Sequence, residues 1–382
     1  MITERVLSDL DLPDPGDRLG NPLRGSRLGR CARQSAYMLW PHLFPPLPLP
    51  ARAKLVFRFG DLIHDMIRRE YRRVLPGEWG MEEQRFWFVV PLSTKEADAA
   101  QRKIEAGWLS GMVIPDFPRG GSSLKPIGAV LDPVAPALCV PIRVDGIADL
   151  SALGKPYYGL ATVEIKSMAT AGFRAALRGQ VDYAYRVQMA AEADAAGLDT
   201  HIYVSIRKDT CHILEIIYSR LATAIEVRFT KSSKIVERMR VADNGDDRET
   251  DWEAAEVQHP FEPRLLEEAR ARVRRILVSK PDALPDREYG PSFGCLVCDG
   301  SGTQTRQKGR AALLKTPKPC ETCRATGTLD EAALPFQCSY CPSVGHCYGA
   351  IARLEVTDRP RYLVTRTDYA ASGLMFTPPE SP

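Results

Sequence analysis

A mixed α/β fold, with a central sheet flanked by helices, is what this sequence predicts. Three observations carry that expectation: a globular composition, an element order of strand, strand, strand, helix, strand, strand, and ten cysteines in grouped spacings. The 382 residues are 44% hydrophobic and 26% charged, which excludes disordered, fibrous and membrane classes. At ~150 residues per domain the length predicts about two domains, or one large core with an appendage. Lysine and arginine number 51 against 48 acids, and the net charge of +3 permits a nucleic-acid partner without requiring one. Residues 1–30 have no apolar core of signal-peptide length and the chain has no long uncharged apolar run, so a cytoplasmic, intracellular protein with no membrane partner is expected.

Residues 1–30 are rich in Pro, Gly, Asp and Arg and lead loosely to a helix beginning near Cys31. Between Phe57 and Tyr71, the residues Leu62, Ile63, Met66 and Ile67 recur at helical spacing and place His64 on an amphipathic helix. A second helix is expected over Thr94 to Lys103. After a Gly/Ser/Pro loop at residues 118–126, Leu138 to Leu150 reads as strand, turn and strand, with a third strand at Ala161 to Ile165. Phe173 to Ala196 reads as one helix ended by Gly197. His201 to Ile206 and His212 to Tyr218 form a hairpin about Lys208-Asp209-Thr210. Helices over Leu221 to Val241 and Pro263 to Ser279 precede a cysteine-rich tail, and Thr377 to Pro382 is expected to be disordered.

Asp149 ends Val144-Asp145-Gly146-Ile147-Ala148-Asp149, and Glu164 and Lys166 follow in Val163-Glu164-Ile165-Lys166. Two carboxylates on adjacent strands can ligate Mg²⁺ or Mn²⁺ through hard oxygens, and the ion then lowers the pKa of a bound water and screens phosphate charge. Residues two apart on a strand share a face, so Lys166 points to the same spot as Glu164, where it can orient water or stabilise developing charge. A solvated sheet face explains a lone E-x-K equally well.

In this order the motifs resemble the PD-(D/E)XK nuclease superfamily, and within it the RecB-like branch, with its helical His, G-x-x-D strand, E-x-K strand and Q-x-x-x-Y helix. The matching residues are His64, Gly146 to Asp149, Glu164 to Lys166, and Gln188. The fourth position after Gln188 is Glu192 where the family usually has Tyr, although Tyr183 and Tyr185 lie just before it. The resemblance implies a restriction-endonuclease-like core in which His64, Asp149, Glu164 and the Ile165 carbonyl hold the cation, with Lys166 and Gln188 completing the catalytic set.

Cys338, Cys341 and Cys347 form C-x2-C-x5-C, and three thiolates need a fourth. RecB-like nucleases with an iron-sulfur cluster, among them CRISPR-adaptation exonucleases and AddB subunits, use one cysteine before the core and three after it. That resemblance implies a [4Fe-4S] cluster on Cys31, Cys338, Cys341 and Cys347, in a structural role first; Zn²⁺ on the same thiolates is the alternative. Cys295, Cys298, Cys320 and Cys323 make C-x2-C-x21-C-x2-C, the spacing of a structural Zn²⁺ site. Its first half, C-x-x-C-x-G-x-G, is similar to the zinc region of DnaJ chaperones, but the His-Pro-Asp of a J domain is absent from the sequence. Cys139 and Cys211 read as buried or incidental thiols.

The finger tip carries Arg306, Lys308, Arg310, Lys315 and Lys318 without an acid, a pattern suited to phosphate or to a protein surface. Arg174, Arg178 and Arg186 follow the E-x-K strand, where they can meet a nucleic-acid backbone; Arg228, Lys231, Lys234, Arg238 and Arg240 form a second basic run, and a charged solvent face accounts for either. The expected division is a nuclease core over 1–290, a zinc-finger insertion over 291–330, an iron-sulfur segment over 331–350 and an extension over 351–382. The resemblance implies a Mg²⁺- or Mn²⁺-dependent deoxyribonuclease, first an exonuclease on single-stranded or end-containing DNA, docking to replication or recombination proteins through the finger. The alternative is a nucleic-acid-binding or assembly module that does not cut. Compact nucleases of this kind occur in phages and in bacterial repair and defence systems.

Overall fold

A computed structural model describes residues 23–46, 51–74, 79–80, 84–109, 136–150, 159–177, 179–220, 226–231, 234–239 and 262–289. In the C-terminal part it describes 292–293, 301, 303–306, 313–321, 324, 326, 328–335, 338, 341–356, 360–372 and 374. Two compact units divide the chain, Met1–Leu39 with Pro50–Ala283, and Trp40–Leu49 with Leu284–Pro382.

The first unit is mixed α/β. After a 3₁₀ turn at Gly25–Arg27 come α1 (Ala32–Tyr37), whose N-cap is Cys31, and α2 (Ala51–Val74), which carries His64. Strands β1 (Trp79–Gly80) and β2 (Gln84–Pro91) precede α3 (Thr94–Glu105), where Ser93 and Glu96 cap each other reciprocally. Then follow β3 (Ala137–Val144), β4 (Gly146–Asp149), β5 (Leu160–Met168), α4 (Thr170–Leu177) and α5 (Tyr183–Ala196). The unit ends with β6 (Thr200–Arg207), β7 (Ile213–Ser219), β8 (Glu226–Lys231), β9 (Lys234–Met239) and α6 (Pro263–Val278).

Seven strands form the main sheet in the order β1-β4-β5-β6-β7-β8-β9, and β2 with β3 form a separate antiparallel pair. Among the described residues only β5 and β6 are parallel neighbours in the main sheet, so the chain must cross over between them, and α4 and α5 make that crossing. Strand β5 lies inside the sheet and is covered on both faces. One face packs Val163 and Ile165 with Ile202 and Val204 of β6 and with Ile63 and Ile67 of α2. On the other, Tyr203, Leu214 and Ile216 meet Phe173 and Ala176 of α4 and Met189 of α5. Because side chains alternate along a strand, Glu164 and Lys166 fall on the α4/α5 side.

Two expected helices are corrected. The stretch from Phe173 to Ala196 is two helices, because Gly179 turns to φ 73° and Asp182 caps α5 by accepting from the Ala184 N–H at 2.8 Å; Gly197, at φ 67°, terminates it. The expected helix over Leu221 to Val241 is instead the β8/β9 hairpin, which extends the sheet beyond β7. Glu226-Val227-Arg228-Phe229-Thr230 alternates polar and apolar with the period of a strand, and Lys234-Ile235-Val236-Glu237-Arg238 pairs with it as its antiparallel partner. On α2, Ile63 and Ile67 are buried, whereas Leu62 and Met66 are exposed.

In the second unit, the expected finger-tip loop contains a hairpin of β10 (Thr303–Arg306) and β11 (Leu313–Pro319). Strands β12 (Glu331–Ala333), β13 (Ala352–Val356) and β14 (Pro360–Thr365) form a sheet in the order β12-β14-β13, accompanied by α7 (Val344–Tyr348) and α8 (Arg366–Ala371). The expected C-terminal extension thus supplies two of three strands and the buried Val364 of this unit's core. Pro45 and Phe44 belong here too, through a 2.7 Å contact of the Pro45 carbonyl with His346 Nε2 and an edge-on ring contact of Phe44 with the same His. Thr377 to Pro382 and the 118–126 loop lie outside the described residues.

Gly29 lies against α5, where a Cβ would stand 2.5 Å from the Ala184 Cα and 2.7 Å from its carbonyl oxygen. Backbone cannot yield as a side-chain tip can, so Gly29→Ala is expected to destabilise the first unit by about 1–3 kcal/mol in urea unfolding, with the slope of the transition unchanged.

Candidate active site

The site is built around the middle of β5. Glu164 is 3% exposed, and its Oε1 accepts from Lys166 Nζ on the same strand face and from Gln188 Nε2 of α5 at 2.8 Å. Gln188 Nε2 also donates to Glu192 Oε1, one helical turn on, at 2.7 Å. Lys166 Nζ lies 5.1 Å from the centre of the Tyr185 ring, close enough for the ring face to attract the ammonium. The four polar groups therefore interlock between one strand and one helix.

A second carboxylate comes from the turn between β3 and β4. Asp145 Oδ2 accepts the Ile165 backbone N–H at 2.8 Å, and its Oδ1 accepts from Arg68 of α2 at 2.6 Å. His64, one turn before Arg68, brings Nδ1 to 3.7 Å from Asp145 Oδ2. Asp145, His64, Glu164, Ile165, Lys166 and Gln188 are thus one neighbourhood. Asp149, the carboxylate expected there, is not in it. The β4/β5 register pairs Asp149 with Leu160, four residues before Glu164, or about 13 Å along the strand at ~3.3 Å per residue. The same register runs Asp145 alongside Val163 through the Asp145 N–H to Val163 carbonyl bond. An antiparallel hairpin brings the start of its first strand to the end of its second, which is why the earlier aspartate, not the later, reaches the E-x-K segment.

Burial governs the charge states. His64 is lowered, first by burial and then by Lys166 and Arg68 against the opposing pull of Asp145, so its imidazole is neutral and its lone pair can serve as a ligand. Lys166 is lowered by burial, opposed by Asp145 and Glu192. Glu192, fully buried, is pushed up to about 8 by desolvation, with Lys166 and the Gln188 hydrogen bond acting against the shift. His201, buried in β6 with Nδ1 2.7 Å from Thr162 Oγ1, is pushed down to about 3 by desolvation and stays neutral.

Several expected contacts stand elsewhere. Arg186 is no nucleic-acid contact: it is 2% exposed inside α5, its guanidinium 3.5 Å from Glu262 and stacked near the Tyr183 ring. Arg174 is exposed on α4, and Arg178 lies outside the described residues. Arg228, Lys231, Lys234 and Arg238 belong to the β8/β9 hairpin. Arg306 lies on β10; Lys308, Arg310, Cys295, Cys298 and Cys323 are outside the described residues, while Cys320, directly after β11, is buried. Cys338, Cys341 and Cys347 share one apolar cluster with Tyr348 in the second unit, and Cys31 caps α1 in the first. Cys139 is buried in β3, its thiol pushed up to about 11 by desolvation, and Cys211 is exposed in a turn.

Four residues of the neighbourhood escaped the sequence reading: Asp145, Arg68, Glu192 and Arg30. Asp145 adjoins the glycine of the G-x-x-D motif, Arg68 follows His64 by one turn, and Glu192 occupies the motif position where Tyr was awaited. Arg30 is exposed, and its charge acts on both Lys166 and Tyr185, which places it beside the site's ammonium. Its only sequence signal was adjacency to Cys31.

The donors suit a hard divalent cation in kind: two carboxylates, a neutral imidazole and a backbone carbonyl. Among the described residues, however, no three His, Cys, Asp or Glu side chains are gathered into a group that could hold a metal ion, and Arg68 and Lys166 neutralise the two carboxylates.

A carboxyl whose folded pKa lies above its unfolded value binds more protons in the folded state, so it removes stability as pH rises from the unfolded value towards the folded one. Glu192 is shifted from 4.5 to about 8, so between those pH values its contribution to stability declines as pH increases. Glu192→Gln should flatten that decline, seen as a smaller drop in thermal midpoint between pH 5 and pH 8 than in the wild type.

No family model matches the chain, and no curated protein matches it. A solved structure titled "Crystal structure of SSO0001" aligns with 57% of this chain and 78% of its own, at 14% identity and a TM-score of 0.29. Similarity at that level carries no argument about fold or activity.

Proposed function

We propose that this protein is a Mg²⁺- or Mn²⁺-dependent deoxyribonuclease with a PD-(D/E)XK core of the RecB-like type. One observation carries the reading: Asp145 accepts from the backbone of the Glu164-Ile165-Lys166 strand, with His64 of α2 beside Asp145 and Gln188 of α5 on Glu164. Asp145, Glu164, His64 and the Ile165 carbonyl are the groups that would hold the cation. When bound there, a divalent cation supplies an activated water and charge screening at the phosphate.

The chain's own groups do the rest. The Lys166 ammonium, held by Glu164 and the Tyr185 ring, presents positive charge where a phosphoryl oxygen gains negative charge. Gln188 fixes the Glu164 carboxylate, and Arg68 orients Asp145. Arg30, exposed on the rim, suits a contact with the DNA backbone and occupies the role first given to Arg186. The Cys31, Cys338, Cys341, Cys347 cluster and the Cys295, Cys298, Cys320, Cys323 zinc site belong to the same proposal; cysteine spacing and the family resemblance support them. No helix among the described residues is long and apolar enough to cross a membrane.

A second reading, a nucleic-acid-binding module that does not cut, is favoured by the pairing of both carboxylates with cationic side chains. Degradation of end-labelled single- and double-stranded DNA with Mn²⁺ or Mg²⁺ separates the two. Glu164→Ala should abolish cutting, and Asp145→Asn should reduce it by on the order of 100-fold. Asp149→Asn should stay within a few-fold of the wild type, and loss through Asp149 but not Asp145 would restore the original assignment. A wild type that binds DNA and never cuts it establishes the second reading. Anaerobic purification checks the cofactors: a brown protein with acid-labile sulfide and one zinc equivalent is expected, and a colourless one with two zinc equivalents would refute the iron-sulfur assignment.

A further inference from the structure

Helix α2 buries one side and exposes another. Ile63 and Ile67 enter the core and His64 and Arg68 reach Asp145, but Leu55, Val56, Phe59, Leu62 and Met66 are exposed, Leu62 by 66%. Single apolar residues scattered over a surface are ordinary. These are not scattered: Leu55, Phe59, Leu62 and Met66 stand four, three and four apart, so they fall within about 60° of one another around the helix axis. They make a stripe about 17 Å long at 1.5 Å rise per residue. Alternation of four and three is the seam of a coiled coil, which a second helix normally covers, and a continuous exposed apolar surface marks an interaction site.

The charges beside the seam identify the second helix. Arg58 and Asp65 flank it on one side, both exposed and about 10 Å apart along the axis. Asp65 has a loose pair with Arg68 at 3.8 Å, and its side chain remains 67% exposed. If two copies of α2 are laid antiparallel, Phe59 packs on the second copy's Leu62 and Leu55 on its Met66. The same register sets Arg58 opposite the second copy's Asp65, and the two-fold axis makes that pair twice. A shift of one heptad in either direction opposes Arg58 to Arg58 or Asp65 to Asp65, so charge selects one register. An anionic lipid surface would instead ask for one sign of charge along this flank.

We propose that the exposed stripe of α2 is a docking surface for a second copy of this chain, closed by the antiparallel Leu55, Phe59, Leu62 and Met66 seam and by reciprocal Arg58–Asp65 pairs. The proposal is independent of the nuclease reading. Arg52 and Arg69 occupy the next seam positions in the sequence, so the apolar contact is short and the dimer is of micromolar strength, gained and lost with concentration. Because α2 also carries His64 and Arg68, association joins two copies of the candidate site on one pair of helices.

The test is sedimentation of the full chain, purified anaerobically, over a concentration series reaching about 100 µM. The wild type should pass from monomer to a species of twice the chain mass. Leu62→Glu should sediment as a monomer throughout, and the thermal midpoint of the dilute protein should not change, because the residue is exposed. Arg58→Asp and Asp65→Arg should each associate about 10-fold more weakly, since either change sets two like-charge pairs across the interface. Their equimolar mixture should associate within about 2-fold of the wild type, because the mixed dimer restores both opposite-charge pairs. A wild type that stays monomeric overturns the proposal, and if it floats with phosphatidylglycerol vesicles the stripe belongs to a lipid surface. A dimer that survives Leu62→Glu is built elsewhere on the molecule and also overturns it. So does a mixture no tighter than its components, since Arg58 and Asp65 then do not meet across the interface. None of these outcomes depends on whether the protein cuts DNA.

Discussion

A carboxylate on a strand covered from both sides persists only if its charge is met within the protein, and Glu164 imposes that condition on everything around it. Lys166 meets it from the same strand face, two residues on, because the pleat leaves no other direction for the side chain. Helix α5 meets it with Gln188, from a helix whose residues 186 to 193 are all buried. Arg186 and Glu192 are buried on the same helix, Arg186 beside Glu262 and the Tyr183 ring and Glu192 against Gln188. The polar cluster and the apolar packing around Met189 and Tyr203 are consequently one solution rather than two.

The sheet explains why the site sits where it does. Strands β5 and β6 are parallel, so the chain must travel the length of the sheet between them, and it does so as two helices over the face that bears Glu164. The opposite face is closed by α2, whose Ile63 and Ile67 enter the apolar layer while His64 and Arg68 emerge at its margin beside Asp145. Apolar anchors and polar tips alternate on one helix at the period that lets both face inward.

Much of this was legible in the residues. The strand pattern from Leu138 to Ile165, the hairpin before Tyr218 and the His64 helix all carry strong periodicity, and the E-x-K strand with Gln188 converges in space. What escaped depended on register and on long-range pairing. Asp149 and Asp145 are equally plausible on one strand read alone; only the pairing of Gly146 with Val163 decides between them. Arg186 lies on the expected helix, but every residue of that helix from 186 to 193 is buried, which a local run of arginines does not encode. Strands β8 and β9 stand where a helix was expected over Leu221 to Val241, and their value to the fold lies in long-range pairing that extends the sheet past β7.

The contact of Gly29 with Ala184 joins two segments distant in sequence, a loop that continues into Arg30 and Cys31 and the first turn of the helix that bears Gln188 and Glu192. Backbone meets backbone there with no side chain between, so the junction has no compliant layer to absorb a displacement. Any bulk added to the loop at Gly29 therefore presses directly on the first turn of α5.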